Sequence, residues 1–364
     1  MIDVKDLILK FEQSKINFFC GVPDSLLSPF TNYVEKYRKK KHLICANEGG
    51  AVSVAIGNYL STKKISCIYM QNSGLGNAIN PLVSIAHKKI YSVPMVLMIG
   101  WRGAPGSNDE AQHKKQGLIT KDLLKLLDIK YEDLKNKNDL AKIPKLTKYA
   151  MAKKTQVALI VKKNVLKYIN KREKNSTEGI DRSYVINEIL KLTKQNYKII
   201  STTGFISRDL FRITEENFKT KKNFYMIGGM GHAQMVAYGV ANFSKKKIVC
   251  LDGDGSLIMH LGSSPILGNY KKKNLKYILL NNGVHESVGA QFCISQKINF
   301  EKLSQGFGYK NYFMIKNKKE LKKKLIKFFE SKKSSFLEVK IKKLGINSLP
   351  RIRNTAKVLK SFMD

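Results

Sequence analysis

The sequence predicts an α/β protein of two open, mostly parallel sheets. Three observations carry this. Short apolar runs of strand length alternate with helical patterns through both halves of the 364 residues, with no all-β or all-α region. The apolar runs tend to stop at turns rich in Gly, Asp, Asn or Ser, as at the ligand-binding edge of a parallel sheet. Between the halves, residues 163–181 (KNVLKYINKREKNSTEGID) have the polar, charged composition of a linker. The expected divisions are a first domain over 1–165, a linker over 166–181, a second domain over 182–345 and a basic tail over 346–364.

In the first half, NFFCGV (17–22) reads as a strand ending at Pro23-Asp24-Ser25, where Asp24 or Ser25 can cap a helix over 26–37. A second strand, 42–46, ends at Asn47-Glu48 before a helix of small residues over 49–60. The strand at 65–70 leads into QNSGLG (71–76), and the strand at 93–100 into a polar excursion over 101–116. A helix at 145–153 and a strand at 157–162 complete the half.

The second half restarts with a helix at 183–192 and a strand at 198–201 that ends in Thr202-Thr203-Gly204. A strand at 223–226 precedes Gly228-Gly229-Met230-Gly231 and a helix to about residue 241. The run 248–251 is a buried strand that breaks at Asp252-Gly253-Asp254-Gly255, with Ser256 as a cap for the next helix. The run 277–280 ends at Asn281-Asn282-Gly283. Helices at 300–305 and 319–329 alternate with strands at 311–315 and 335–341, and the last twenty residues are basic and weakly patterned.

Composition limits the function classes. A chain that is 43% hydrophobic and 26% charged has the material for buried cores. Residues 1–12 are too polar for a signal peptide, and the apolar run 93–101 is too short to span a bilayer, so a soluble cytoplasmic protein is expected. The five cysteines form no CxxC and read as buried free thiols. A net charge of +38 raises nucleic-acid binding. Against it, only eight of the 66 basic residues are Arg, the Lys residues are scattered, and no nucleic-acid-binding motif is present. A positive field does favour small anionic substrates.

The residues able to carry chemistry lie in the turns. Asp254 and the Asn281-Asn282 pair end two neighbouring strands and offer hard oxygen donors, suited to Mg²⁺ shared with a phosphate. The glycines of GDG let backbone N–H groups approach an anion. Glu48, between an apolar strand and a small-residue helix, reads either as a first-turn carboxylate favoured by the helix dipole or as a buried carboxyl of raised pKa. The loop WRGAPGSNDEAQHKKQG (101–117) carries the only Trp, an Arg, a His and two Lys. His232 and His285 each follow a Gly-containing turn.

With these residues assembled, the chain resembles the thiamine-diphosphate-dependent decarboxylases, in the branch that acts on phosphonopyruvate and sulfopyruvate. The likeness runs through GVPDSLLSPF (21–30), NEGGAVSVAIG (47–57), QNSGLGNAINPL (71–82), GWRGAPGSNDEAQHKKQG (100–117), TTGFISRDLF (202–211), GGMGHA (228–233), GDGS and NNGVHESVGAQ. GDG followed by 25 residues and NN is the superfamily's diphosphate–Mg²⁺ pattern. The resemblance implies a pyrimidine-binding domain followed by a diphosphate-binding domain, with no middle domain. It implies a homo-oligomer with active sites between subunits.

Carried over residue by residue, the resemblance gives Glu48 the pyrimidine N1′ and gives Gly228 the 4′-nitrogen through its carbonyl. Met230 becomes the side chain that bends the cofactor. Asp254, Asn282 and the Val284 carbonyl become Mg²⁺ ligands, and Gly255, Ser256 and Thr203 hold the diphosphate. Asp24, Ser25, Arg102, His113 and His285 become candidates at the substrate, His113 and His285 as catalytic groups beside Glu48. The implied reaction is non-oxidative decarboxylation of 3-phosphonopyruvate to phosphonoacetaldehyde and CO₂ in phosphonate biosynthesis. Sulfopyruvate, or another 2-oxo acid, is the alternative, and a basic nucleic-acid-binding protein the distant one. No nucleic-acid or membrane partner is expected. Ala111 and AQFC (290–293) depart from the Pro- and Gly-containing pattern of the branch, near the presumed substrate end.

Overall fold

The computed structural model describes residues 1–168, 178–193, 196–219, 222–270, 272–344 and 348–364. The chain divides into two compact units, residues 1–172 and 173–364. Each is built on one six-stranded parallel sheet, and no third domain intervenes in the sequence.

The first unit uses strands β1 (Phe19–Gly21), β2 (His42–Ile44), β3 (Cys67–Gln71), β4 (Met95–Gly100), β5 (Lys130–Leu134) and β6 (Gln156–Val161). Their spatial order is β2-β1-β3-β4-β6-β5, every pair parallel. The runs MVLMIG and QVALIV of β4 and β6 are buried at every residue, as central parallel strands must be when helices cover both faces. Side chains alternate between two cores. Tyr69, Met98 and Leu159 face one, with helices α1 (Val4–Gln13), α2 (Ser28–Tyr37) and α6 (Lys142–Lys153). Met70, Leu97 and Ile160 face the other, with α3 (Glu48–Thr62), α4 (Leu75–Ser84) and α5 (Ala111–Leu126). Edge-to-face contacts link Phe11, Phe19, Phe30 and Tyr69 in the first core.

The second unit has β7 (Tyr197–Ser201), β8 (Phe224–Tyr225), β9 (Lys247–Gly253), β10 (Leu275–Asn281), β11 (Asn311–Ile315) and β12 (Ser335–Lys340), in the order β8-β7-β9-β10-β12-β11. This is the order of the first unit repeated. Helices α7 (Arg182–Thr193), α8 (Phe205–Asn217) and α13 (Lys318–Glu330) cover one face. Helices α9 (Ala233–Phe243), α10 (Asp254–Met259), α11 (Ser264–Tyr270) and α12 (Phe300–Gly306) cover the other. Beside the first strand of each sheet the chain reverses direction, so a crevice opens between β1 and β3 and between β7 and β9.

The structure corrects several local expectations. The excursion after β4 is a loop only to Glu110: α5 begins at Ala111, so His113 lies on a helix. That helix is hidden in the sequence because its buried stripe is thin, made of Gly117, Thr120 and Leu124. Helices α1 and α8 and strand β5 are further elements the pattern did not reveal. Ser256 is not a cap. The helix starts two residues earlier, with Gly253 at the cap position. Likewise α2 starts at Ser28, and Asp24 bonds the Leu26 N–H (3.0 Å) in the turn before it. The C-terminal tail forms α14 (Thr355–Met363), with Asn354 accepting from the Lys357 N–H (3.0 Å) and Phe362 packed on Phe224. The expected linker begins in order, because Leu166–Lys167 pairs in parallel with Ile2–Asp3. Its residues 169–177 lie outside the described residues.

Gly117 brings α5 down onto the loop at Gly103: a Cβ there would overlap the Gly103 carbonyl, and a Cβ at Gly103 would overlap that of His113. Gly103 also has a positive φ of 65°. Gly117→Ala should therefore cost at least about 1–3 kcal/mol by overpacking. Urea unfolding of the variant checks this.

Candidate active site

In the first unit, three acidic or basic groups gather at the carboxyl edge of the sheet. Glu48 is the first residue of α3. Asn47 caps that helix, accepting from the Gly50 N–H at 2.8 Å, and so sets where Glu48 begins. Its side chain is 5% exposed. Asn77 on α4 donates to its Oε2 at 2.8 Å, and a Cβ at Gly74 would overlap its Oε1. Burial pushes the Glu48 carboxyl up, and the Asn77 hydrogen bond offsets part of that. Glu48 thus meets both readings: it stands in the first turn of the helix and is a buried carboxyl pushed up.

Asp24 follows β1 and is fully buried. Its Oδ2 accepts from Leu26, and its Oδ1 has no hydrogen-bond partner among the described residues. Burial pushes the carboxyl up to about 6, against the pull of the Arg102 guanidinium. Arg102 follows β4. It forms a two-pronged pair with Asp109, Nε to Oδ2 at 2.8 Å and Nη2 to Oδ1 at 2.5 Å, while Nη1 donates to Ser25 Oγ at 2.9 Å. Asp109 also accepts the N–H groups of Gly103 and Glu110, both at 2.8 Å, so it folds the loop around itself. Asn72, after β3, exchanges two hydrogen bonds with the Arg102 backbone. His113 sits half-buried in the first turn of α5.

In the second unit the loops after β7, β8, β9 and β10 converge. Thr202 Oγ1 donates to Ser256 Oγ at 2.8 Å, and the Gly231 N–H reaches the same oxygen at 3.1 Å. Thr202, rather than Thr203, makes this contact, and Thr203 is half-exposed beside it. Gly255 leaves bare backbone in the crevice: a Cβ there would stand 3.1 Å from the His285 ring and 3.3 Å from Met230 Cε. Gly228 opens a loop in which Gly229 and Gly231 take positive φ values of 66° and 89°. His285 is half-buried, and burial pushes its imidazole down to about 4, so it is neutral at pH 7. His232 instead stacks on His260, ring centroids 4.5 Å apart.

Asp254 is 4% exposed. Its Oδ2 accepts from Ser295 Oγ at 2.5 Å and from the Gly283 N–H at 3.0 Å. Every hydrogen bond to it comes from a neutral donor, and burial pushes the carboxyl up. A buried carboxylate without a cationic partner is costly, and a bound cation relieves that cost. The Asn282 amide and the Val284 backbone lie on the adjoining turn, so the donors are all hard oxygens. The cradle of bare glycine backbone and this donor set fit a diphosphate with a divalent cation. Several of these supports escape sequence reading. Ser295, Asn77, Asn72 and Thr202 act on partners 41, 29, 30 and 54 residues away, respectively, at separations with no local signature. Asp109 lies inside the noted loop, where its charge next to Glu110 gave no sign of pairing.

Asp24 makes stability depend on pH. Between its ordinary value of 3.8 and about 6, the folded protein keeps a proton that the unfolded chain releases. Raising the pH through that window therefore weakens the fold. Against Asp24→Asn, the wild type should lose up to about 3 kcal/mol of relative stability between pH 4 and pH 7. Urea unfolding of both proteins at the two pH values measures this, and a pH-independent difference would contradict it.

The chain matches the family models described as "Thiamine pyrophosphate enzyme, N-terminal TPP binding domain" over residues 3–125 and "Thiamine pyrophosphate enzyme, C-terminal TPP binding domain" over residues 203–339. It is similar to a phosphonopyruvate decarboxylase of Streptomyces viridochromogenes, with 31% identity covering 85% of this chain and 81% of that protein. It is similar to a sulfopyruvate decarboxylase of Methanosarcina acetivorans, at 26% identity over 84% of this chain and 82% of that protein. A sulfopyruvate decarboxylase subunit beta of Methanocaldococcus jannaschii is 31% identical over 34% of this chain and 64% of that subunit. With its two sheets and its glycine-lined crevice, the chain belongs to the thiamine pyrophosphate enzymes, and within them to the decarboxylases.

Proposed function

We propose that the protein catalyses Mg²⁺- and thiamine-diphosphate-dependent decarboxylation of 3-phosphonopyruvate, in which the substrate and a proton become phosphonoacetaldehyde and CO₂, serving phosphonate biosynthesis. The observation that carries the substrate reading is the cluster at the edge of the first sheet. It combines a guanidinium (Arg102), a hydroxyl (Ser25) and a buried acid with a free oxygen (Asp24 Oδ1). Such a set suits an anionic 2-oxo acid that must receive a proton at the carbon losing CO₂. The relative from Streptomyces, similar along most of the chain, supports the phosphonate. Sulfopyruvate is the second reading, supported by the relative from Methanosarcina.

Asp254, Asn282 and the Val284 carbonyl would hold the cation, with Gly255, Ser256 and Thr203 at the diphosphate. Gly228 and Met230 would contact the aminopyrimidine end. Thiamine diphosphate, when bound, supplies the carbon that adds to the keto group and the ring that takes up the electrons released with CO₂. Glu48 is the buried carboxyl able to share a proton with a ring nitrogen, because burial favours its protonated form. Asp24 can hold a proton near neutral pH at Oδ1. His285, neutral at pH 7, and His113 are the remaining candidates to orient substrate. We further propose a cytoplasmic homo-oligomer in which the Glu48 edge of one subunit completes the Asp254 edge of another. The family resemblance supports self-association, and a relative named as a subunit supports assembly from several chains. Among the described residues, no helix is long and apolar enough to cross a membrane.

Glu48→Gln should lower turnover at least about 100-fold, the lower end for a lost proton-transfer group. It should leave thiamine diphosphate binding within a few-fold by calorimetry. Near-normal turnover would remove Glu48 from this role. With both substrates tested side by side, kcat/KM should favour phosphonopyruvate, and activity should vanish without the cofactor and Mg²⁺. A preference for sulfopyruvate above about tenfold, roughly 1.4 kcal/mol in the transition state, would reverse the assignment.

A further inference from the structure

Behind Asn282 lies a buried ion network that none of the proposed site roles uses. Asn282 Nδ2 donates to Glu286 Oε2 at 3.2 Å, and Arg182 Nη1 meets the same oxygen at 2.5 Å. Arg182, 3% exposed at the start of α7, also pairs with the buried Asp209 at 3.1 Å. Asp209 is held in turn by Ser183 (2.7 Å) and Arg212 (2.9 Å). Glu286 therefore cannot swing away without uncoupling a buried guanidinium.

The amide of Asn282 has two possible orientations, alike in shape and opposite in chemistry: one edge ligates cations, the other repels them. Hydrogen bonding selects between them. In the structure the NH₂ edge faces the Glu286 carboxylate, and Oδ1 accepts from the Val284 N–H at 3.2 Å, leaving that oxygen a second lone pair. Turning the amide over would set an oxygen against a carboxylate and an NH₂ against an N–H. We propose that Glu286, anchored by Arg182, is a positioning residue that keeps the Asn282 amide oxygen available to a divalent cation. The inference rests on the proposed role of Asn282 at the cation. Adjacent residues thus divide the work: His285 packs toward Gly255 in the crevice, and Glu286 turns back to Arg182.

The test is Mn²⁺ binding, followed by electron paramagnetic resonance in the presence of thiamine diphosphate, with melting curves as a check on folding. In Glu286→Gln the oxygen shared by Arg182 and Asn282 loses its charge, so its hold on the Asn282 NH₂ edge weakens. Mn²⁺ should bind at least threefold more weakly. In an Asn282→Asp background the side chain has two oxygens and no wrong orientation. There the Glu286→Gln penalty should disappear. Should Glu286→Gln fail to fold, Glu286→Asp keeps the charge against Arg182 but withdraws it from Asn282, and it should also lose threefold or more. A folded Glu286→Gln variant, or in its place Glu286→Asp, that binds Mn²⁺ within threefold of the parent overturns the inference. A penalty that persists in the Asn282→Asp background overturns it as well. If the parent protein itself fails to bind Mn²⁺ with thiamine diphosphate, the cation reading fails, and the inference falls with it.

Discussion

A carboxylate taken out of water with only neutral donors around it is the constraint on which the second unit is built. Removing such a charge from solvent costs several kcal/mol, and neutral donors such as Ser295 and Gly283 offset only part of that. The segment after β10 is shaped to supply them. Gly283 takes a positive φ so that its N–H reaches Asp254, while its carbonyl is held by Gln296 and the Cys293 N–H. That segment then closes into the short hairpin Val284–His285 with Gln291–Phe292 and returns Ser295 to the same carboxylate. The remaining cost is one that a bound cation would relieve.

The same economy recurs in the first unit with different residues. Glu48 and Asp24 are buried carboxyls that each keep few partners, and both are pushed toward their protonated forms. Arg102, by contrast, pairs with Asp109 within its own loop and also donates to Ser25. In both units, burial thus pushes the strand-end carboxyls toward their protonated forms. Both sets sit at the carboxyl edge of a sheet with the same strand order, where the reversal of chain direction beside the first strand leaves a crevice.

Much of this was legible in the chain. The buried strands are continuous apolar runs such as MVLMIG and YILL, and their turns are punctuated by Gly, Asp and Asn, so most strands of both sheets and the turns at their carboxyl ends could be read directly. Asp254, Asn282 and Glu48 stood out because each is polar where a strand has just ended. Other elements resisted for identifiable reasons. Helix α5 buries little beyond Gly117, Thr120 and Leu124, which makes its periodicity faint. Ser256 looked like a helix cap because Ser favours that place, yet its hydroxyl is taken by Thr202 and Gly231 from distant loops.

The sequence by itself therefore determined the class of fold, the edges at which chemistry could sit and the residue types there, because these depend on local pattern and on how a strand must end. Only the tertiary structure decided which groups meet. That Arg102 is paired with Asp109, that Asp24 keeps an unpartnered oxygen, that Thr202 rather than Thr203 holds Ser256, and that Glu286 stands between Arg182 and Asn282 all depend on contacts across many residues. Such contacts are set by the packing of whole helices against whole sheets. No short stretch of the chain encodes them.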